Sequence, residues 1–158
     1  MKTILVAAAA LIATPAAAQV MTPAEYVKSA GASDLFERQS SQIVLQSTRD
    51  PKVRQFAQEM IADHTKSTAQ VKAAAARSHV AAPPPQLMPV QAELIAELRA
   101  ESGPARDATY LAQQRASHNQ ALDVQKAYAL DGTAPALKEA AAAIVPVVKS
   151  HIDMLMAM

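Results

Sequence analysis

The 158-residue chain has no cysteine and no tryptophan, and only three glycines, three tyrosines and two phenylalanines. Without cysteine there is no disulfide, no thiolate metal site and no cysteine nucleophile, so packing alone must hold the fold. So few aromatics provide neither a platform for stacked bases nor a cage for a large aromatic ligand. A surplus of charge is missing too. The formal net charge is +1, with acidic and basic residues interspersed, which removes the basic stripe that nucleic acid requires and the polybasic patch that anionic lipid requires.

What is present begins with "MKTILVAAAALIATPAAA", residues 1–18. Lys2, the apolar run from Ile4 to Ala13 and the small residues Ala16 to Ala18 form a secretory signal peptide with an A-x-A cleavage site. The run is too short to cross a bilayer, and no cysteine follows it to take a lipid. A mature chain is therefore expected to start near Gln19 and to be soluble, without a transmembrane segment, in a bacterial periplasm. Residues 19–158, roughly 140 residues, suit one domain with a real core.

Frequent alanine, scarce glycine and prolines placed as punctuation predict an all-α protein. Thr22-Pro23 opens a short helix expected to stop near Gly31, and Ser33 or Asp34 caps a second segment to about Thr48. Asp50-Pro51 starts a long helix to about His79. The prolines of "VAAPPPQLMP", residues 80–89, then impose an extended connection. A short helix from about Val90 to Ala100 precedes a long one over 105–130, and the last runs from about Thr133 or Ala134, with Pro146 expected to kink it. Two tightly turned helix pairs joined by a long connection predict a ferritin-like four-helix bundle with a crossover and short additional helices; a plain up-down bundle is the alternative.

Three helices carry a histidine where the apolar stripe asks for a hydrophobic residue. His64 is four after Met60 and seven before Val71; His118 follows Leu111 and precedes Leu122 in register; His151 shares a stripe with Ile144, Val148 and Leu155. His79, at a helix end, is expected to be exposed. Counting from the turns brings Glu37 to the depth of His64, and sets His118 and His151 within about one helical turn of each other. Glu37, His64, His118 and His151 thus form a candidate cluster, with Ser40, Ser41, Asp63, Tyr110, Gln114 and Asp153 near enough in sequence to support it.

Three imidazoles and a carboxylate suit a divalent transition metal such as zinc, copper, nickel or iron. The same groups can instead satisfy one another as a buried network that sets helix register. No Glu-x-x-His occurs, which argues against the dinuclear carboxylate centre of ferritin-like enzymes, and no G-x-S-x-G supports a serine nucleophile. Met154, Met156 and Met158 offer soft thioethers near the C-terminus, but methionine at a helix end ordinarily packs or frays.

The segments "DLFERQSSQIVLQ", "DPKVRQFAQEMIADHTKS", "YLAQQRASHNQALDVQKAY" and "LKEAAAAIVPVVKSHIDM" resemble those of the exported bacterial proteins grouped as domain of unknown function 4142, over about residues 22–157. "FAQEMIADHTK" is the most specific of them. The resemblance implies a ferritin-like bundle with no established activity, and its pattern matches Glu37, Ser40, Ser41, His64, His118 and His151. The chain departs from that pattern at Arg38, where an apolar residue is usual. The family's frequent label of outer membrane protein fits poorly with a chain showing neither a β-barrel pattern nor a lipid anchor.

The expected role is a periplasmic binding or stress-related accessory protein without a demonstrable catalytic site, with an envelope protein as its possible partner. The alternatives are a metal-binding protein using the Glu/His cluster and a metal-dependent enzyme.

Overall fold

The computed structural model describes residues 20–158, so the signal peptide expected at 1–18 lies outside the described residues. Five helices follow one another: α1 Pro23–Val44, α2 Pro51–Arg77, α3 Pro89–Ala100, α4 Gly103–Asp131 and α5 Pro135–Met156. Each of α1, α2, α3 and α5 opens on proline, whose fixed φ and missing N–H suit the first helical position. At α1, Thr22 and Glu25 form a capping box: the Glu25 N–H donates to Thr22 Oγ1, and the Thr22 N–H donates to Glu25 Oε2 at 2.8 Å. At α2, Asp50 Oδ1 accepts from the N–H groups of Lys52 and Val53.

The sequence predicts a stop near Gly31, but α1 runs unbroken through it. The buried stripe of Tyr26, Val27, Ala30 and Phe36 spans the glycine, and burying it outweighs the roughly 1 kcal/mol that glycine costs in a helix. Asp34 is therefore an interior, core-facing residue and not a cap. α5 also runs unbroken through Pro146. Pro146 and Ala142 are both exposed, so the carbonyl that the proline leaves without its helical partner faces solvent. α2 ends at Arg77, and His79 beyond it is exposed as expected. At φ 55° it closes a C-terminal motif in which the Val80 N–H donates to the Ala75 carbonyl and the His79 N–H to the Ala76 carbonyl.

α1, α2, α4 and α5 form the bundle. Contacts such as Asp34–His64, Ser41–Tyr110, His118–His151 and Asp63–His151 pair successive neighbours antiparallel around the ring α1, α2, α5, α4. α2 and α4 consequently run the same way, and the 78–102 connection has to return along the bundle. This is the crossover topology of a ferritin-like all-α fold. α3 lies against α1 and α4 and adds Ile95 and Leu98 to the core.

The core is split in two. Tyr26, Val71, Tyr128, Leu137 and Ile144 belong to one apolar cluster, and Phe36, Val44, Phe56, Met60, Tyr110 and Leu155 to the other. Tyr26 and Tyr128 stack with ring centroids 3.9 Å apart in the first. Between the two clusters lies a buried polar layer. It contains Asp34, Glu37, Ser40, Ser41, His64, Gln114, His118 and His151.

Candidate metal centre

His64, His118 and His151 each direct one ring nitrogen into this layer, and the three nitrogens lie within 4.8 Å of one another. His118 Nε2 and His151 Nδ1 are 3.3 Å apart. Ring centroids are separated by 5.3 to 5.7 Å, so the imidazoles surround a common point. His118 stands about one helical turn closer to the α4–α5 connection than His151 does. The offset closes because side chains lean toward the N-terminus of their own helix. In this antiparallel pair that tilts His118 away from the turn and His151 toward it.

The outward-facing nitrogens are committed. His64 Nδ1 lies 2.8 Å from Asp34 Oδ1, His118 Nδ1 lies 2.9 Å from the Gln114 carbonyl, and His151 Nε2 lies 3.0 Å from Asp63 Oδ2. A carbonyl or a carboxylate only accepts, so in each neutral ring the outer nitrogen carries the proton and the inner one is a bare lone pair. Two lone pairs facing each other at 3.3 Å repel unless a proton or a cation lies between them. His64 Nε2 has no hydrogen-bond partner among the described residues, although the residue is only 6% exposed.

Burial, the largest influence, holds His118 below the usual histidine range despite the opposing field of Glu37. Burial likewise pushes His151 down to about 4, against its hydrogen bond to Asp63. For His64, burial works in the same direction, but the hydrogen bond to Asp34 and the fields of Glu37, Asp34 and Asp63 outweigh it and leave the group above its ordinary value. A second proton on His64 would sit on Nε2, which has no acceptor. Among the described residues, the carboxylates Asp34, Glu37 and Asp63 are paired with these histidines and not with lysine or arginine.

Glu37 is buried in the same layer but stands outside the converging trio. Its Oε1 accepts from Ser117 Oγ at 2.7 Å and lies 3.8 Å from His118 Nδ1, on the outer edge of that ring. Its Oε2 has no partner among the described residues. Of the supporting residues read from the sequence, Asp63 and Gln114 hold histidines, Ser40 accepts from the Gln114 side-chain amide, and Ser41 bonds Tyr110. Asp153 is exposed and does not touch the layer. Asp34 was masked by its reading as a cap. It stands one helical turn before Glu37 on α1, and that spacing is the signal that it faces inward. Ser117 carried no such signal. Arg38, the departure from the family pattern, donates from Nη1 to the His64 carbonyl and to Thr68 Oγ1, tying α1 to α2 beside the site.

Phe56 packs against both His118 and His151 with ring centroids 6.2 and 6.5 Å away. On the other side, a cavity of about 120 Å³ between α2 and α5 is lined by Asp63, His64, Ser67 and His151, so two of the three histidines border it.

A ferritin-like helical bundle with three histidines converging between two apolar half-cores is the class that this architecture defines. The chain belongs to the family described as Domain of unknown function (DUF4142), whose profile matches residues 8–158. No curated protein matches it. Among solved structures, the chain is similar to a DUF305 protein from Streptomyces coelicolor described as secreted. The two share 16% identity and a TM-score of 0.65, over 87% of this chain and 90% of that one. The likeness extends to the fold. No helix among the described residues is long and apolar enough to cross a membrane.

Proposed function

We propose that the chain is an exported metal-binding bundle acting in the periplasm, and that His64, His118 and His151 bind a divalent transition metal. One observation carries the reading: three inner nitrogens converge while each outer nitrogen is held by an acceptor. That is the arrangement in which metal-bound histidines are fixed in tautomer and orientation. A tetrahedral zinc ion with bonds of about 2.0–2.1 Å spaces its ligands roughly 3.3 Å apart, and the His118–His151 separation is 3.3 Å. Closing the trio requires only small movements, for which the half-buried side of the cavity leaves room. Glu37, with Oε2 unpartnered in the same layer, supplies compensating charge beside the site. The role of binding or accessory protein thereby acquires a definite chemistry, and the N-terminal signal sequence read at 1–18 supplies its compartment.

The test is elemental analysis of the chain purified from metal-replete cells, followed by calorimetric titration with zinc and copper(II). One equivalent of metal is expected, lost in His64→Ala. A chain without stoichiometric metal, whose titration is unchanged by His64→Ala, would overturn the reading in favour of a buried hydrogen-bonded network.

A further inference from the structure

A second cavity, separate from the histidine trio, lies under the proline connector. It holds about 550 Å³ between α1, α2 and residues 82–86, within the roughly 300–1,000 Å³ range of small-molecule sites. Its inner wall is apolar, with Val27 and Val71 each more than nine-tenths buried. Pro83, Pro84 and Pro85 form the roof. Proline has no N–H, so this roof presents no hydrogen-bond donor, and its fixed φ keeps the connector from folding down into the space beneath it. The connector passes beside Gly31, where an added Cβ would stand 3.5 Å from the Pro85 ring.

Charge at the cavity is of one usable sign. Lys28 on α1 and Lys72 on α2 border it from opposite helices, both exposed and neither within an ion pair of any described carboxylate. The one acidic residue in the lining, Asp34, is 4% exposed, and its two oxygens already accept from His64 and Thr68. A cationic ligand would find no free carboxylate, whereas an anion would find two free ammonium groups above an apolar hollow.

We propose that this cavity binds a free single-chain amphiphile with an anionic head group, its tail beneath the proline roof against Val27 and Val71 and its head between Lys28 and Lys72. The site is independent of the metal reading.

Decanoate and decyltrimethylammonium below their micellar concentrations, and decanol below its solubility limit, are titrated calorimetrically into the full mature chain with chelator present. Decanoate should saturate a single site, with decanol binding more weakly and decyltrimethylammonium weakest. Lys28→Glu/Lys72→Glu should weaken decanoate by about tenfold or more, since attraction at the rim becomes repulsion, and should narrow or reverse the preference over decyltrimethylammonium. Both lysines are exposed, so an unchanged melting temperature verifies that the variant is folded. Gly31→Leu, which extends a side chain toward the cavity roof, should reduce decanoate binding without changing the charge preference. No saturable binding of any of the three, equal binding of all three, or unaltered decanoate binding by the double variant would overturn the proposal.

Discussion

His118 Nε2 lies 3.3 Å from His151 Nδ1, although each ring already gives its other nitrogen to an acceptor, His118 to the Gln114 carbonyl one turn back on its own helix α4 and His151 to Asp63 on α2. The contact joins the two helices of one hairpin, and Asp63 ties it to a third. A contact between two bare lone pairs is unfavourable unless something positive is shared between them, so the state of this pair should govern both the stability and the binding behaviour of the chain.

The first consequence is acid sensitivity of the metal-free protein. His151 titrates at about 4 in the fold and His118 is also lowered, both chiefly through burial, whereas an unperturbed histidine titrates near 6.5. Below 6.5 the unfolded chain therefore binds protons that the folded chain refuses, and stability falls as pH drops from about 6.5 toward about 4. His64, raised above its ordinary value once its carboxylate neighbours outweigh burial, works oppositely. Its contribution is present below 6.5 and lost as pH rises through its folded pKa. With two groups against one, the melting temperature of chelated protein should be lower at pH 5 than at pH 7.5. An equal or higher value at pH 5 would contradict this.

Asp63 holds the outer nitrogen of His151 and is itself about one-third exposed. Asp63→Ala should leave the bundle folded but free the His151 ring to change tautomer and orientation. Zinc affinity should drop by roughly 10- to 100-fold, the usual effect of removing such a partner. Competition against a chromogenic chelator measures it, and unchanged affinity would show that Asp63 does not orient the ring.

Two glycines should respond to alanine with opposite signs. At Gly31 a Cβ meets only ordinary van der Waals contact with Pro85, so Gly31→Ala should stabilise the α1 helix by about 0.5–1 kcal/mol. At Gly132 a Cβ would lie 2.5 Å from the Tyr128 carbonyl oxygen and 2.7 Å from its ring. Gly132→Ala should therefore cost about 1–3 kcal/mol. Urea denaturation of both variants checks the signs.

Phe56, 2% exposed, packs against Tyr110, His118 and His151. Phe56→Ala should cost about 3–5 kcal/mol through lost burial and the resulting cavity. Because the histidines lose their packing surface, zinc affinity should fall as well. Leu137→Ala, in the other apolar cluster, should cost about 2–5 kcal/mol with no comparable effect on zinc.

Much of this architecture is legible in the chain. Proline and cap residues at Thr22-Pro23 and Asp50-Pro51 mark helix starts because their effect is local, acting on backbone φ and on nearby N–H groups. The seven-residue spacing around His64 and the stripe through Ile144, Val148, His151 and Leu155 correctly point these histidines inward. On α4 the stripe is less transparent. Leu111 and Leu122 are only half-buried, and the face that meets the core is Tyr110, Gln114, His118, Gln125 and Tyr128. A helix whose buried face is polar gives weak hydrophobic periodicity, and here the partners of that face lie on other helices.

Other features depend on distant parts of the chain. Gly31 reads as a stop, yet tertiary burial on both sides of it carries α1 onward, and this turns Asp34 from a cap into the carboxylate that holds His64. Glu37 matches the others in depth but not in direction, since Ser117 takes Oε1 and leaves the carboxylate on the outer edge of His118.

The helix starts at Thr22-Pro23 and Asp50-Pro51, the crossover and the inward histidines were thus determined by the sequence itself, because capping, periodicity and proline chemistry act over a few residues, whereas the continuity of α1 through Gly31 was not. Which nitrogen of each histidine faces the centre, and whether the rings meet at all, was decided only by tertiary structure. Those facts depend on acceptors supplied from other turns and other helices, and on the opposite lean of side chains in an antiparallel pair.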